Sequence, residues 1–150
     1  QSEIAMLTSH GAGDQLATVR PVTDVDTVAA AIRAIRAVYV APVINDYIVS
    51  IVDATRHHPD LRLGASPRAG LHLLRASRVV AALSGRDYVI PQDVVEVIPD
   101  VLRHRLVLTY DALADEISAE TVVNRILQTV ALPRSTRDSA PGETPLAWAS

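Results

Sequence analysis

The stretch Ser66-Pro67-Arg68-Ala69-Gly70-Leu71-His72-Leu73-Leu74-Arg75-Ala76-Ser77-Arg78-Val79-Val80-Ala81-Ala82-Leu83-Ser84-Gly85 reads as one complete helix with both ends written into it. A serine before the helix can accept a backbone N–H bond, and proline suits the first helical position because its missing N–H would be unpaired there anyway. Leu73, Ala76, Val80 and Leu83 recur at helical spacing and form the expected core stripe. Gly85 supplies the stop, since glycine tolerates the left-handed conformation that ends many helices.

The flanking segments repeat this pattern. Upstream, Thr23 and Asp26 have capping-box spacing, and Val28, Ile32, Ile35 and Val38 fall on one face of a helix expected from Thr27 to about Val40. Pro42 opens a second helix, with Ile44, Ile48, Ile51 and Val52 inward, to about His57. Downstream, Pro91 opens a fourth through Val94, Val97, Ile98, Val101 and Leu102, and Pro99 inside it predicts a kink or a break. Ser118 caps a fifth through Val122, Val123, Ile126, Leu127 and Val130. Leu106–Leu108 reads as a short strand whose expected partner is Tyr88–Ile90. The fold class is therefore all-α: a small bundle of about five helices with one short two-stranded β pair. Residues 1–22 read as a connector, 23–132 as the helical domain, and 133–150, with their Pro, Ser, Thr and Gly, as a disordered tail.

Composition narrows the chemistry. At 150 residues the chain suits one domain, and 49% hydrophobic with 21% charged residues is a globular balance. There is no cysteine, which removes disulfides, thiolate zinc sites and thiol catalysis. All 14 basic residues are arginine, so a Schiff-base lysine and a P-loop lysine are absent together. A formal net charge of −3 and few aromatic residues argue against nucleic acid as a partner. No run approaches the roughly 20 apolar residues that span a bilayer.

Few constellations carry chemistry. His57 and His58 are adjacent, point to different sides of a helix and read as a solvated helix end. Gly64-Ala65-Ser66-Pro67-Arg68 echoes a nucleophile elbow, but Arg68 stands where the second glycine belongs, and capping is the better role for Ser66. Asp93, Glu96 and Asp100 share a helical face and read as solvated acids. The informative spot is the start of the third helix. Free N–H groups and the helix dipole favour an anion there, and a permanently charged arginine in that first turn is unfavourable unless an anion compensates it.

The run Leu61-Arg62-Leu63-Gly64-Ala65-Ser66-Pro67-Arg68-Ala69 resembles the sensor-2 motif of MoxR-type AAA+ ATPases. The match continues through Ala82–Val94 and Val101–Leu106, with Tyr47–Val49 and Asp53–Arg56 upstream, and covers about residues 22–133. The resemblance implies the C-terminal helical lid of such an ATPase, an AAA+ lid-like bundle that follows an α/β core. This sequence carries no Walker A, Walker B or arginine finger, so the chain on its own is expected to be inactive. Ile90 departs from the polar cap often found before the proline of the fourth helix.

Carried over by position, Arg68 matches the sensor-2 arginine that reaches the ATP γ-phosphate, while Gly64, Ser66 and Pro67 shape and cap its turn. Arg56, His104 and Arg105 fit the family pattern without an assigned role. The resemblance further implies ATP and Mg²⁺ as cofactors of the full-length protein and no metal held by the chain itself. Its implied partners are its own ATPase core, neighbouring subunits of a homo-oligomeric ring, a hexamer by the same resemblance, and a von Willebrand factor A domain protein. It implies chaperone-like remodelling or maturation of partner proteins in the cytoplasm. The alternative reading is a stand-alone helical interaction or DNA-binding module, with a helix-turn-helix cut from the second and third helices.

Overall fold

A computed structural model describes residues 19–133 together with Ile4. The expected connector before residue 19 and the expected tail after residue 133 lie outside the described residues. The described residues fall into two units, one ending at Ala30 and one beginning at Ala31. Residues 19–133 hold six helices: α1 (Val25–Ala37), α2 (Pro42–Arg56), α3 (Pro67–Leu83), α4 (Pro91–Leu102), α5 (Tyr110–Ala114) and α6 (Ala119–Thr129). Strands β1 (Leu61–Leu63) and β2 (Val107–Leu108) form one antiparallel pair, and a 3₁₀ turn spans Arg103–Arg105. The all-α class with one short β pair is thus the observed fold.

Helix α1 crosses the boundary between the units. It starts two residues earlier than its pattern suggested, because Asp24 rather than Thr23 is its cap. The Asp24 carboxylate accepts the Thr27 N–H at 2.7 Å, and the bond holds its pKa below the usual carboxylate range. Its apolar stripe is not a core stripe: Val28 and Ile32 are each 46% exposed, and no residue of α1 is buried.

The second unit contains the core. Ile44, Ile48, Ile51 and Val52 of α2 are buried as their spacing requires, joined by Tyr47 and Thr55. Burial pushes the Tyr47 phenol pKa up. Helix α3 packs chiefly on α4 and also on α2, and α6 closes the bundle against α2 and α4. The buried face of α3 differs from the predicted stripe. Ala69, Leu73, Ser77, Ala81 and Ala82 face inward, whereas Ala76 and Val80 are half-buried and Leu83 is 78% exposed. Four of these five inward residues are alanine or serine. A Cβ at Gly70 would meet Ile48 Cγ2 at an ordinary contact distance of 3.6 Å. Ser77 tolerates burial by donating its hydroxyl to the Leu73 carbonyl at 2.8 Å.

The ends of the helices follow the physics of their residues with some exceptions. Gly85 adopts φ +72° and ends α3, with its N–H on the Ala82 carbonyl and that of Arg86 on the Ala81 carbonyl. Ser118 accepts the Thr121 N–H as expected. Pro99 does not break α4, which runs on to Leu102 before tightening into the 3₁₀ turn. A proline near the C-terminal end of a helix removes one N–H bond, and packing of Ile98 and Leu102 into the core holds the helix on course. Helix α5 was not foreseen. It is short, and Thr109 caps it by accepting the Ala112 N–H at 3.2 Å.

The β pair also corrects the sequence reading. β2 lies beside β1, with Leu61 opposite Leu108 and Leu63 opposite Val107, and not beside Tyr88–Ile90. Tyr88 instead forms an isolated parallel bridge with Tyr39: the Tyr39 N–H donates to the Asp87 carbonyl and the Val89 N–H to the Tyr39 carbonyl. The Thr109 N–H donates to the Asp60 carbonyl, and Arg125 of α6 meets the Asp60 carboxylate at 2.7 Å, so the connection from α2 to α3 is tied down from two sides.

Candidate functional site

The connection of residues 57–66 delivers the chain to the start of α3, and its last residues are held to α2 by close backbone approach. Gly64 passes against the end of α2 so tightly that a Cβ would come within 2.6 Å of the Thr55 carbonyl carbon. Only glycine fits there, for space and not for φ. The next residue, Ala65, is buried and has both peptide groups engaged. Its N–H donates to the Thr55 hydroxyl at 2.8 Å, and its carbonyl accepts from Arg56 Nε at 3.0 Å. Thr55 is itself fully buried, and its hydroxyl donates to the Val52 carbonyl at 2.6 Å.

With Ala65 fixed, α3 starts at Pro67 from an extended Ser66 (φ −77°, ψ 162°). Ser66 occupies the cap position as expected, but its hydroxyl makes no capping bond. The Ser66 carbonyl accepts the Ala69 N–H at 2.9 Å instead. Arg68, the second helical residue, is exposed, and it makes no hydrogen bond or ion pair among the described residues. The first turn of α3 contains no acid. A free guanidinium thus stands at the positive end of a helix, an arrangement that suits an anion between them.

Behind the same loop lies an open cleft of about 520 Å³, lined by Arg56, Arg62, Arg105 and the Leu63–Ser66 segment. Arg56, quoted within the family resemblance without a role, thus braces the loop and faces the cleft. Sequence reasoning missed Thr55 as the anchor. A threonine near a helix end carries no pattern that separates this use from any other.

It also misread Asp93. This residue is not solvated: it is 2% exposed and forms a two-bond pair with Arg86, at 2.7 and 2.6 Å. One of its oxygens also accepts the Ile90 N–H at 2.8 Å, which is the half of a capping box that an apolar cap residue can still provide. The Asp93 carboxylate beside Arg86 pushes the guanidinium pKa up. Glu96 and Asp100 remain exposed as expected. His57 is a solvated helix end, with Nδ1 3.0 Å from the Asp53 carbonyl, but His58 is not: its side chain is only 15% exposed, and its Nδ1 accepts the Asp60 N–H at 3.2 Å. No group of three metal-binding side chains occurs among the described residues. No helix among them is long and apolar enough to cross a membrane.

The AAA lid domain family matches residues 53–126, which contain Thr55, Arg56, Gly64, Arg68 and Arg105. The chain is 63% identical over 98 residues to "Chaperone MoxR1" of Mycobacterium tuberculosis, covering 59% of this chain and 26% of that protein. It is 34% identical over 124 residues to "Protein MoxR" of Methylorubrum extorquens, covering 73% of this chain and 35% of the relative. A crystal structure of a candidate ATPase from Cytophaga hutchinsonii superposes with a TM-score of 0.65 at 33% identity, over 68% of this chain and 34% of that one. The chain therefore spans between a quarter and about a third of the length of these relatives.

Proposed function

Because this chain is the lid region of a MoxR-type AAA+ ATPase, we propose that Arg68 senses the γ-phosphate of ATP held by the core of the full-length protein. The observation that carries this reading is an exposed guanidinium without a partner, aimed from the first turn of a helix whose preceding loop is clamped by Thr55 and Arg56. A lid that touches the γ-phosphate favours the closed state while ATP is bound and loses that preference after hydrolysis. The same charge stabilises the phosphoryl group in transfer.

In this reading the full-length protein is an ATP hydrolase that uses Mg²⁺ and assembles as a ring, with chaperone-like action on protein partners that include a von Willebrand factor A domain protein, in the cytoplasm. The groups that bind Mg²⁺ and activate water belong to the core. The chain alone is expected to show no ATP turnover, and convincing turnover by the purified chain would overturn the assignment. In the full-length protein, Arg68→Ala is expected to slow hydrolysis by about ten- to a hundredfold, the range of one lost charged contact or coupling. Unchanged hydrolysis with the lid folded would remove Arg68 from the mechanism.

The helix-turn-helix alternative is not favoured. Its two helices would be α2 and α3, but residues 57–66 between them include a β-strand paired elsewhere, where that motif uses a turn of about three or four residues.

A further inference from the structure

We infer that the cleft framed by Arg56, Arg62 and Arg105 is a second phosphate-binding site, distinct from the contact made by Arg68. Three arginines line one open space of about 520 Å³, and no acidic residue lines it with them. Clustered like charges repel, and an anion between them reverses the sign of that interaction. The arginines are also not used up elsewhere. Arg62 is exposed and makes no ion pair. Arg105 Nε is buried with no hydrogen-bond partner, an unsatisfied charged donor that the fold itself does not explain. Arg56 uses Nε on the Ala65 carbonyl, and its Nη1 is only loosely paired with Asp53, at 3.9 Å.

The rest of the lining fits the same ligand. Ser66 faces the cleft, and its hydroxyl makes no capping bond, so a small polar donor is available beside the arginine forks. Planar guanidinium groups bind phosphate oxygens in pairs. A protein segment would be expected to find a buried apolar anchor, whereas the one large apolar side chain at the cleft, Leu63, is 60% exposed. The shared chemistry is a phosphate group, from free inorganic phosphate species or from a nucleotide. Arg68 does not line the cleft, so this inference stands whether or not Arg68 senses ATP.

The test is a nuclear magnetic resonance titration of the chain with pyrophosphate and, separately, with ATP in the absence of metal. The probes are the amides of Gly64, Ala65 and Ser66 and the Arg105 Nε–H. Saturable shifts at these groups are expected. Arg62→Gln and Arg105→Gln should each weaken binding by about fivefold or more, the scale of a lost charge-assisted contact. Arg33→Gln, which leaves the cleft intact, should change it by less than about twofold. Arg62 is a surface residue, so that variant serves if Arg105→Gln fails to fold.

Similar affinity for both probes identifies inorganic phosphate species as sufficient, and a clear preference for ATP identifies the nucleotide. The absence of saturable shifts would overturn the inference. So would binding that Arg68→Ala abolishes while Arg62→Gln and Arg105→Gln leave it intact, a result that keeps the Arg68 reading. Tighter binding of a Glu-rich peptide than of pyrophosphate would also overturn it, in favour of a protein partner.

Discussion

Thr55 holds the site through a hydroxyl that both donates and accepts: to the Val52 carbonyl within its own helix, and from the Ala65 N–H across the loop. Thr55→Val keeps the shape and removes both bonds. The Ala65 N–H would then be buried without a partner, a loss of about 1–3 kcal/mol. Thr55→Ser should retain most of the stability, and urea denaturation of the two variants measures the difference. Equal midpoints for Val and wild type would show that the hydroxyl anchors nothing. Asp93 makes a second residue-scale case. Its carboxylate is buried against Arg86, so Asp93→Ala leaves a half-buried guanidinium without its partner, and a loss of about 3 kcal/mol is expected in the same experiment. The sequence concealed both residues for a physical reason. Periodicity reports which face is apolar, and a buried polar group that is fully bonded looks like any surface threonine or aspartate in a pattern. The exposed position of Arg68 was legible because Pro67 marks the start of its helix and places it in the first turn.

At the scale of elements, helix starts and stops were largely written in single residues, while pairing between distant segments was not. Pro42, Pro67 and Pro91 each open a helix at the position read from sequence, and Gly85 ends one. β2 found β1 instead of Tyr88–Ile90 because two- and three-residue strands carry too little pattern to choose a partner. Of the stripe expected on α3, Leu73 is buried, while Ala76, Val80 and Leu83 give way to Ala69, Ser77, Ala81 and Ala82. The two glycines at the ends of α3 and its leading loop separate two mechanisms. Gly85→Ala meets nothing within 4 Å and incurs only the left-handed strain, about 1 kcal/mol, with the loop ahead of Arg68 unchanged. Gly64→Ala drives a methyl group into the backbone of Thr55 and Arg56, so the loop must move. In the full-length protein, Gly64→Ala is expected to impair ATP hydrolysis well beyond its effect on stability, and Gly85→Ala to leave hydrolysis near wild type. A paired measurement of turnover and melting temperature decides this, and equal effects of the two substitutions would contradict the clamp.

At the scale of the whole molecule, every residue of the hydrophobic core among the described residues lies between Val38 and Ile126, within the second unit. Hydrophobic burial is the main favourable term in folding, and the surface exposed on unfolding sets the denaturant slope. Among the described residues, the second unit therefore holds the buried surface that makes unfolding cooperative. Replacing the exposed Val25 and Val28 together by alanine is expected to leave the urea slope within about a tenth of its original value, comparable to the uncertainty of such extrapolations, and to preserve one sharp transition. The exposed Val25, Val28 and Ile32 of α1 make the same point, since half-exposed side chains add little to the core. Acid should act unequally on the two units. The Asp24 carboxylate is held below its ordinary pKa by the Thr27 N–H, so its cap is fully formed above the ordinary carboxylate range and is lost as pH falls through the lowered value. Amide exchange at Thr27 should then accelerate relative to the expected intrinsic rate on acidification while the amides of Ile48 and Leu73 remain protected. Loss of protection at all three in one step would mean that the start of α1 and the core unfold as a single cooperative body.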